Sequence, residues 1–353
     1  MTVINGIEID NISYTPNLIK DAIVNNTPIE DKLNVIIVVS NPCQYAKRYI
    51  LAREFIRRIE MEETNVNLYI VELAYPEQKY YLTDSNNPKH LQISGIEPLW
   101  HKENMINIGI SRLPADWKYV AWIDGDIDFV RADWAIETVH ELQHHDFVQL
   151  FSDAIDMGPN HEVLTVFKSF AYCYCNKLPP KIAGKQYRKA EDCGHEGTSH
   201  EGGSLQSIKT KDTKNYSAHN TWHPGYAWAA TRQAITTVGG LIDFAILGSA
   251  DFHMATAIIG NATESLPPKA NEEYKKMVLN WQARAAKLGK NIGYVKGTIY
   301  HFWHGKKADR RYMDRWDILI KNKFNPQTDI HKDWQGLYVM NPDLMEFQRD
   351  IRD

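Results

Sequence analysis

Three carboxylates, each two residues from the next, close the stretch YVAWIDGDIDF at residues 119–129. Asp124, Asp126 and Asp128 follow an apolar run, Val120 to Ile123, that a strand can bury, but burial gives no reason for the acids. In extended backbone, residues i and i+2 point the same way, so the spacing predicts one shared acidic face. Like charges held that close repel strongly unless a cation neutralises them. Carboxylate oxygens suit hard divalent ions such as Mg²⁺ or Mn²⁺, not thiolate-loving metals. An EF-hand loop starting at Asp124 would need Gly at its sixth position and Glu at its twelfth. Phe129 and Ala135 stand there, so that reading fails.

A haloacid-dehalogenase-type phosphatase also sets Asp-x-Asp behind an apolar strand, but near the start of its domain and before Thr or Val. Here the pair is followed by Ile127 and Asp128, deep in the chain. Cys173, Cys175, Cys193, His195 and His200 form a second grouping of ligand-type residues. Their spacing matches none of the usual zinc patterns, and a polar loop that happens to carry them is the simpler reading. Four cysteines in 353 residues argue against a disulfide framework.

The elements that must position the acids are legible as alternating runs. LNVIIVVS (33–40), VNLYIVELAY (66–75) and KYVAWID (118–124) read as strands, the first β-branched and buried. Between them lie a helix through YAKRYILAREFIRRIEME, with Ile50, Phe55, Ile56 and Ile59 at helical spacing, and a second at 98–114. Strand–helix alternation predicts an α/β fold with a mostly parallel sheet, whose ligands collect beyond the carboxyl ends of the strands. The acids fall there. Further on, 133–145 reads as a helix and 146–151 as a strand. A turn, strand and helix follow at 223–240, ending at a Gly pair. Ser249 or Asp251 is placed to cap a helix at 247–260, 270–289 is an amphipathic helix, and 292–305 is a strand running into a His/Gly turn.

The ordered series NVIIVVS, WHKENMINIGI, YVAWIDGDIDF, HPGYAWAATRQAI, GGLIDFAILGSADFHM and YHFWHG resembles GT-A fold glycosyltransferases of the family-2-like kind, over roughly residues 33–315. The resemblance implies a single large Rossmann-like α/β domain, with its mostly parallel central sheet flanked by helices and a C-terminal acceptor-side region. It further implies a nucleotide-sugar donor, with a UDP-sugar favoured, and Mn²⁺ or Mg²⁺ on the donor diphosphate. Transferred residue by residue, Asp126 is the likelier direct metal ligand, and Asp124 touches ribose or nucleotide or joins the metal. His304 of the late His-Gly turn is a further ligand, with His301 second to it. The alternative for HFWH is a metal-free histidine buried against Trp303. Lys306, Lys307 and Arg311 would lie near the phosphates, and Lys102 and Asn104 on the donor-side helix. Asp251 would be the general base of an inverting hexosyl- or pentosyltransferase, with Asp243 the runner-up. A simple helix cap is the alternative for Asp251. Trp222, His223 and Tyr226 would face the acceptor, and Asp153 and Asp156 the donor sugar or a turn.

This organisation predicts an N-terminal extension (1–30), a glycosyltransferase domain (31–320) and a C-terminal tail (321–353). The domain divides into a nucleotide-sugar half (31–150) and an acceptor half (151–320) with a long loop at 176–220. Net charge is −4, yet Lys269–Arg315 carries twelve Lys or Arg against four Asp or Glu, which suits either an anionic ligand or a solvated basic helix. With the basic loop 177–214, that run admits an acceptor that is a glycan or a hydroxymethylated base of viral DNA, flipped from its stack. A non-catalytic metal- and sugar-binding module and a nucleotidyltransferase are the alternatives. The N-terminus lacks the pattern of a signal peptide, and no apolar run approaches the roughly 18–20 residues of a membrane span. The expectation is a cytoplasmic protein (host cytoplasm, if viral) without membrane insertion.

Overall fold

The computed structural model describes residues 3–4, 7–8, 31–62, 65–178, 222–305 and 312–352. After a short antiparallel pair, β1 (Val3–Ile4) and β2 (Ile7–Glu8), the chain builds its main sheet around β3 (Leu33–Ser40). Leu33, Val35, Ile36 and Ile37 of β3 have no exposed surface, because this strand is covered on both faces. On one side it pairs in parallel with β4 (Val66–Ala74), which in turn pairs with β5 (His90–Ser94). On the other side it pairs in parallel with β6 (Tyr119–Ile123). Beyond β6 lie β12 (Ala227–Thr231), β8 (Phe147–Gln149) and β13 (Ile292–Tyr294). The order is β13-β8-β12-β6-β3-β4-β5, and β12 runs against both its neighbours. The chain is thus an α/β protein with a mostly parallel central sheet flanked by helices.

Strand periodicity splits the core into two layers. Ile36, Val120 and Trp122 face one layer, with α2 (Lys102–Ile110), α5 (Arg232–Val238), α6 (Ala250–Ile258) and α7 (Glu272–Ala285). Val35, Ile37, Ala121 and Ile123 face the other, with α1 (Ala46–Glu62) and α3 (Trp134–Glu141). In α1 the buried stripe is Ala52, Phe55 and Ile59, whereas Ile50 is exposed on the opposite side. Truncating a fully buried aromatic such as Phe55 to Ala would cost about 3–5 kcal/mol.

A second sheet was not foreseen. It joins β7 (Ile127–Phe129), β9 (Asp153–Met157), β10 (Val163–Ser169), β11 (Trp222–His223) and β14 (Thr298–His301) in the order β11-β10-β9-β14-β7. The single strand expected at 292–305 is therefore two. β13 belongs to the main sheet and β14 to the second, and between them the Gly297 carbonyl accepts from the Ser152 and Asp153 amides.

A short helix, α4 (Phe170–Cys175), follows β10, and α8 (Tyr312–Lys321) follows β14. The expected tail adds a hairpin, β15 (Ile330–Lys332) and β16 (Tyr338–Met340), and a helix, α9 (Met345–Arg352). Leu337, Met340 and Phe347 are buried in the same core as α2, so this segment is packed onto the body of the protein. Among the described residues, no helix is long and apolar enough to cross a membrane.

Candidate metal and proton-transfer site

The three acids do not share one face. β6 ends at Ile123, Gly125 and Asp126 make a turn, and the chain resumes extended in β7, so the side chains diverge. Lys102 forms an ion pair with Asp124, and Arg58 forms one with Asp128. Asp126 faces two imidazoles instead: His304 Nε2 lies 3.1 Å from its Oδ2, and His301 Nε2 lies 3.8 Å from its Oδ1. Ligand atoms of Asp126, His301 and His304 all fall within 4.8 Å of one another. Donor atoms that share one first-row ion at about 2.1 Å each stand at most about 4.2 Å apart, so the set needs only a small contraction to take a divalent cation. Asp124, expected as a possible metal ligand, stands outside this grouping because Lys102 takes its carboxylate.

Strand register explains the grouping. β14 runs between β7 and β9, and His301 is opposite Ile127 on one side and Asp156 on the other. Asp126 is the residue before Ile127, and its carbonyl accepts the Phe302 amide at 2.9 Å. Asp156 lies 2.6 Å from His301 Nδ1. This is a partner that sequence spacing could not show, since 145 residues separate the two.

Asp251 lies on the far side of the Gly225 turn. A Cβ on Gly225 would stand 2.9 Å from Asp251 Oδ2 and 3.1 Å from His223 Cε1, so only glycine allows the carboxylate to come this near. His223 stacks on Tyr226, with centroids 4.0 Å apart, and Tyr226 lies 4.7 Å from His301. A continuous stack of rings thus links the two ends of the site. Tyr226 and Ser249 both adopt left-handed backbone (φ 76° and 78°), a conformation that non-glycine residues pay for and that concentrates at functional sites. The Tyr226 carbonyl accepts the Asp124 amide, tying the turn to the end of β6.

Ser249 makes no side-chain cap, and among the described residues Asp251 accepts its neighbour's amide, from Phe252 at 2.8 Å. Burial raises the Asp251 carboxyl above its ordinary range, against the pull of Lys102 and His223. Asp251 also lines a small, mostly apolar cavity with Trp122, Trp228 and Met254, which accounts for that burial. Burial lowers the Lys102 pKa, but Asp124, Glu103 and Asp251 together hold it above its ordinary value. Burial pushes Asp124 up, with Lys102 opposing. Glu103, unremarked in the sequence, accepts from Trp100 Nε1 at 3.1 Å and is raised by burial to about 7.

Several expected site residues lie elsewhere. Asn104 donates to the Gly336 carbonyl and accepts the Tyr338 amide, so it anchors the β15–β16 turn. Asp243 accepts from Asn107, Lys332 and Tyr338, which hold its carboxylate within the fold. Trp222, His223 and Tyr226 are 4%, 3% and 5% exposed, so they form no open platform for an acceptor. Asp153 is paired with Lys168. Cys173 is buried among apolar side chains, with its thiol pushed up to about 12. Lys306, Lys307, Arg311, Cys193, His195 and His200 lie outside the described residues. Much of the basic run is satisfied locally: Lys275 and Lys276 pair with Glu272 and Glu273, and Arg284 donates to the Val238 carbonyl.

No protein-family model and no curated protein matches the chain. Among solved structures, the chain is similar to a mutant of Drosophila β1,4-galactosyltransferase 7 in complex with manganese, UDP-Gal and xylobiose. Identity is 10% and the TM-score 0.38, over 90% of this chain and 98% of that one. It is also similar to residues 1–349 of TarS from S. aureus, at 9% identity and a TM-score of 0.30 over 73% of each chain. A third likeness is to 4-diphosphocytidyl-2C-methyl-D-erythritol synthase from Anaerococcus prevotii, at 9% identity and a TM-score of 0.31, over 81% of this chain and 96% of that one. Likenesses this distant carry no argument about chemistry, which has to come from the side chains themselves.

Proposed function

We propose that the chain is a glycosyltransferase that moves a sugar from a nucleotide-diphosphate donor, a UDP-sugar foremost, to a hydroxyl of an acceptor. The observation that carries this reading is the grouping of Asp126, His301 and His304 beyond the sheet's carboxyl edge, with the enclosed carboxylate of Asp251 across the same turn. Asp126, His301 and His304 would hold a divalent cation, which when bound supplies positive charge for the departing diphosphate. Two imidazoles beside one carboxylate suit Mn²⁺ or another first-row ion better than Mg²⁺.

Asp251 takes the proton of the acceptor hydroxyl. The freed oxygen bonds to the anomeric carbon from the face opposite the diphosphate, the bond to the diphosphate oxygen breaks, and the configuration inverts. Asp251 suits this role because burial brings its pKa nearer the working pH, which strengthens it as a base. Lys102 opposes the burial that raises Asp124 and Asp251, and Lys306 and Arg311 are assigned to the donor phosphates. A glycan or other carrier hydroxyl is the acceptor class, a reading supported by Lys275 and Lys276 of the basic run pairing with acids of their own helix.

The test is incubation with Mn²⁺, a panel of nucleotide sugars and candidate acceptors, nucleosides included, followed by mass measurement. Gain of one sugar residue with release of nucleoside diphosphate supports the proposal. Pyrophosphate release would mark a nucleotidyltransferase, and binding without turnover would mark a binding module; either overturns it.

A further inference from the structure

His301 is not free to choose which nitrogen it offers. Asp156 Oδ1 lies 2.6 Å from its Nδ1, a hydrogen-bond distance at which an ionised carboxylate accepts the proton of that nitrogen. Asp156 is 2% exposed and His301 4%, and the two are register partners in the parallel pair β9–β14, so sheet hydrogen bonds fix their separation. Tyr226 packs against the same imidazole. With Nδ1 protonated and the ring held on two sides, Nε2 presents its lone pair toward Asp126 Oδ1, 3.8 Å away. That is beyond the reach of a direct hydrogen bond.

We infer that Asp156 is a positioning residue: it holds the tautomer and orientation of His301 and so sets how tightly the site takes a divalent cation. The inference rests on the metal reading proposed above. A carboxylate behind a ligating histidine raises the basicity of the imidazole and spares the ion the cost of ordering it, and its loss typically weakens metal binding 10–100-fold.

Mn²⁺ binding to the full-length, metal-stripped protein, followed by the free-ion electron paramagnetic resonance signal, tests this without substrate or turnover. Asp156→Asn keeps the shape but not the charge, and its Mn²⁺ affinity should fall 10–100-fold. In a His301→Asn background, where there is no imidazole to position, the same change should alter affinity by less than about twofold. An unchanged affinity in Asp156→Asn, or an undiminished loss in the His301→Asn background, overturns the inference and leaves the metal reading standing. If the unmodified protein takes no Mn²⁺, the metal reading itself falls and the inference with it. A second measurement does not depend on how well a variant folds. Protein loaded with Co²⁺ should show a paramagnetically shifted, exchangeable Nδ1–H proton from His301, and its absence would contradict coordination through Nε2.

Discussion

At the scale of single residues, the proton chemistry proposed above falls to Asp251, with Lys102 beside it. The carboxylate is buried enough to be basic, and the ammonium beside it is held charged chiefly by Asp124. Asp251→Asn keeps the size of the side chain and removes the base, so kcat should fall by about 10²–10⁴-fold. Mn²⁺-dependent UDP binding, measured by calorimetry, should remain. Transfer at the normal rate in this variant would remove Asp251 from the mechanism. Because the Asp251 pKa is raised, kcat/KM should decline as pH drops through a value above the ordinary 3.8, and this limb should disappear from the residual activity of Asp251→Asn. Imidazole ligation predicts a second residue-level outcome: Mn²⁺ should support donor binding at concentrations where Mg²⁺ does not. Titration of each ion against UDP binding checks it, and equal potency would contradict a site built on His301 and His304.

The turn between β11 and β12 is the element on which the two halves of the site meet. Gly225 admits Asp251, His223 and Tyr226 form the stack behind it, and Gln149 donates to the carbonyls of His223 and Gly225 at 2.8 and 3.2 Å. Gly225→Ala should therefore displace the Asp251 carboxylate. We expect kcat to fall at least tenfold, with a thermal midpoint within a few degrees of the parent, read by kinetics and calorimetry together. Normal kcat would show that the close approach is not used. This turn also marks where sequence patterning stops informing. Trp222, His223 and Tyr226 beside a glycine suggest exposed aromatics, but strands β11 and β12 carry them inward, where rings stack on rings. Asp124, Asp126 and Asp128 alternate as in a strand, but the Gly125 turn sends each to a different partner. Long apolar runs such as β3 and β4, and the amphipathic α7, were legible because their period and length agree with their burial. The strands of the second sheet are two to seven residues long, most with mixed burial, and leave little periodic signal. Asp126 and His304 could be named from motif and resemblance, whereas Asp156 required the register of β9 on β14.

Across the whole molecule, buried titratable groups set how stability follows pH. His101 and His253 are lowered by burial to about 4 and about 3, so their contribution is present above about 6.5 and lost as pH falls. His253 is held by Ser265 and Tyr274, where burial disfavours its charged form. Glu103 works in the opposite direction. Its carboxyl is raised from 4.5 to about 7, so the folded state binds its proton more tightly than the unfolded chain does. That stabilisation is complete below about pH 4.5 and is lost as pH rises through about 7, a change on the order of 3 kcal/mol. Glu103→Gln removes the dependence. Its stability relative to the parent in urea unfolding should rise from pH 5 to pH 8, and a constant difference would contradict a buried, neutral Glu103.

The central claim is that Asp126, with two histidines, grips a cation that in turn holds a sugar donor's diphosphate. UDP binding with and without Mn²⁺, compared between the parent protein and Asp126→Ala, tests it most directly. The parent should bind UDP only when Mn²⁺ is present, and Asp126→Ala should bind it in neither condition. Equal, Mn²⁺-dependent binding by Asp126→Ala would contradict the account.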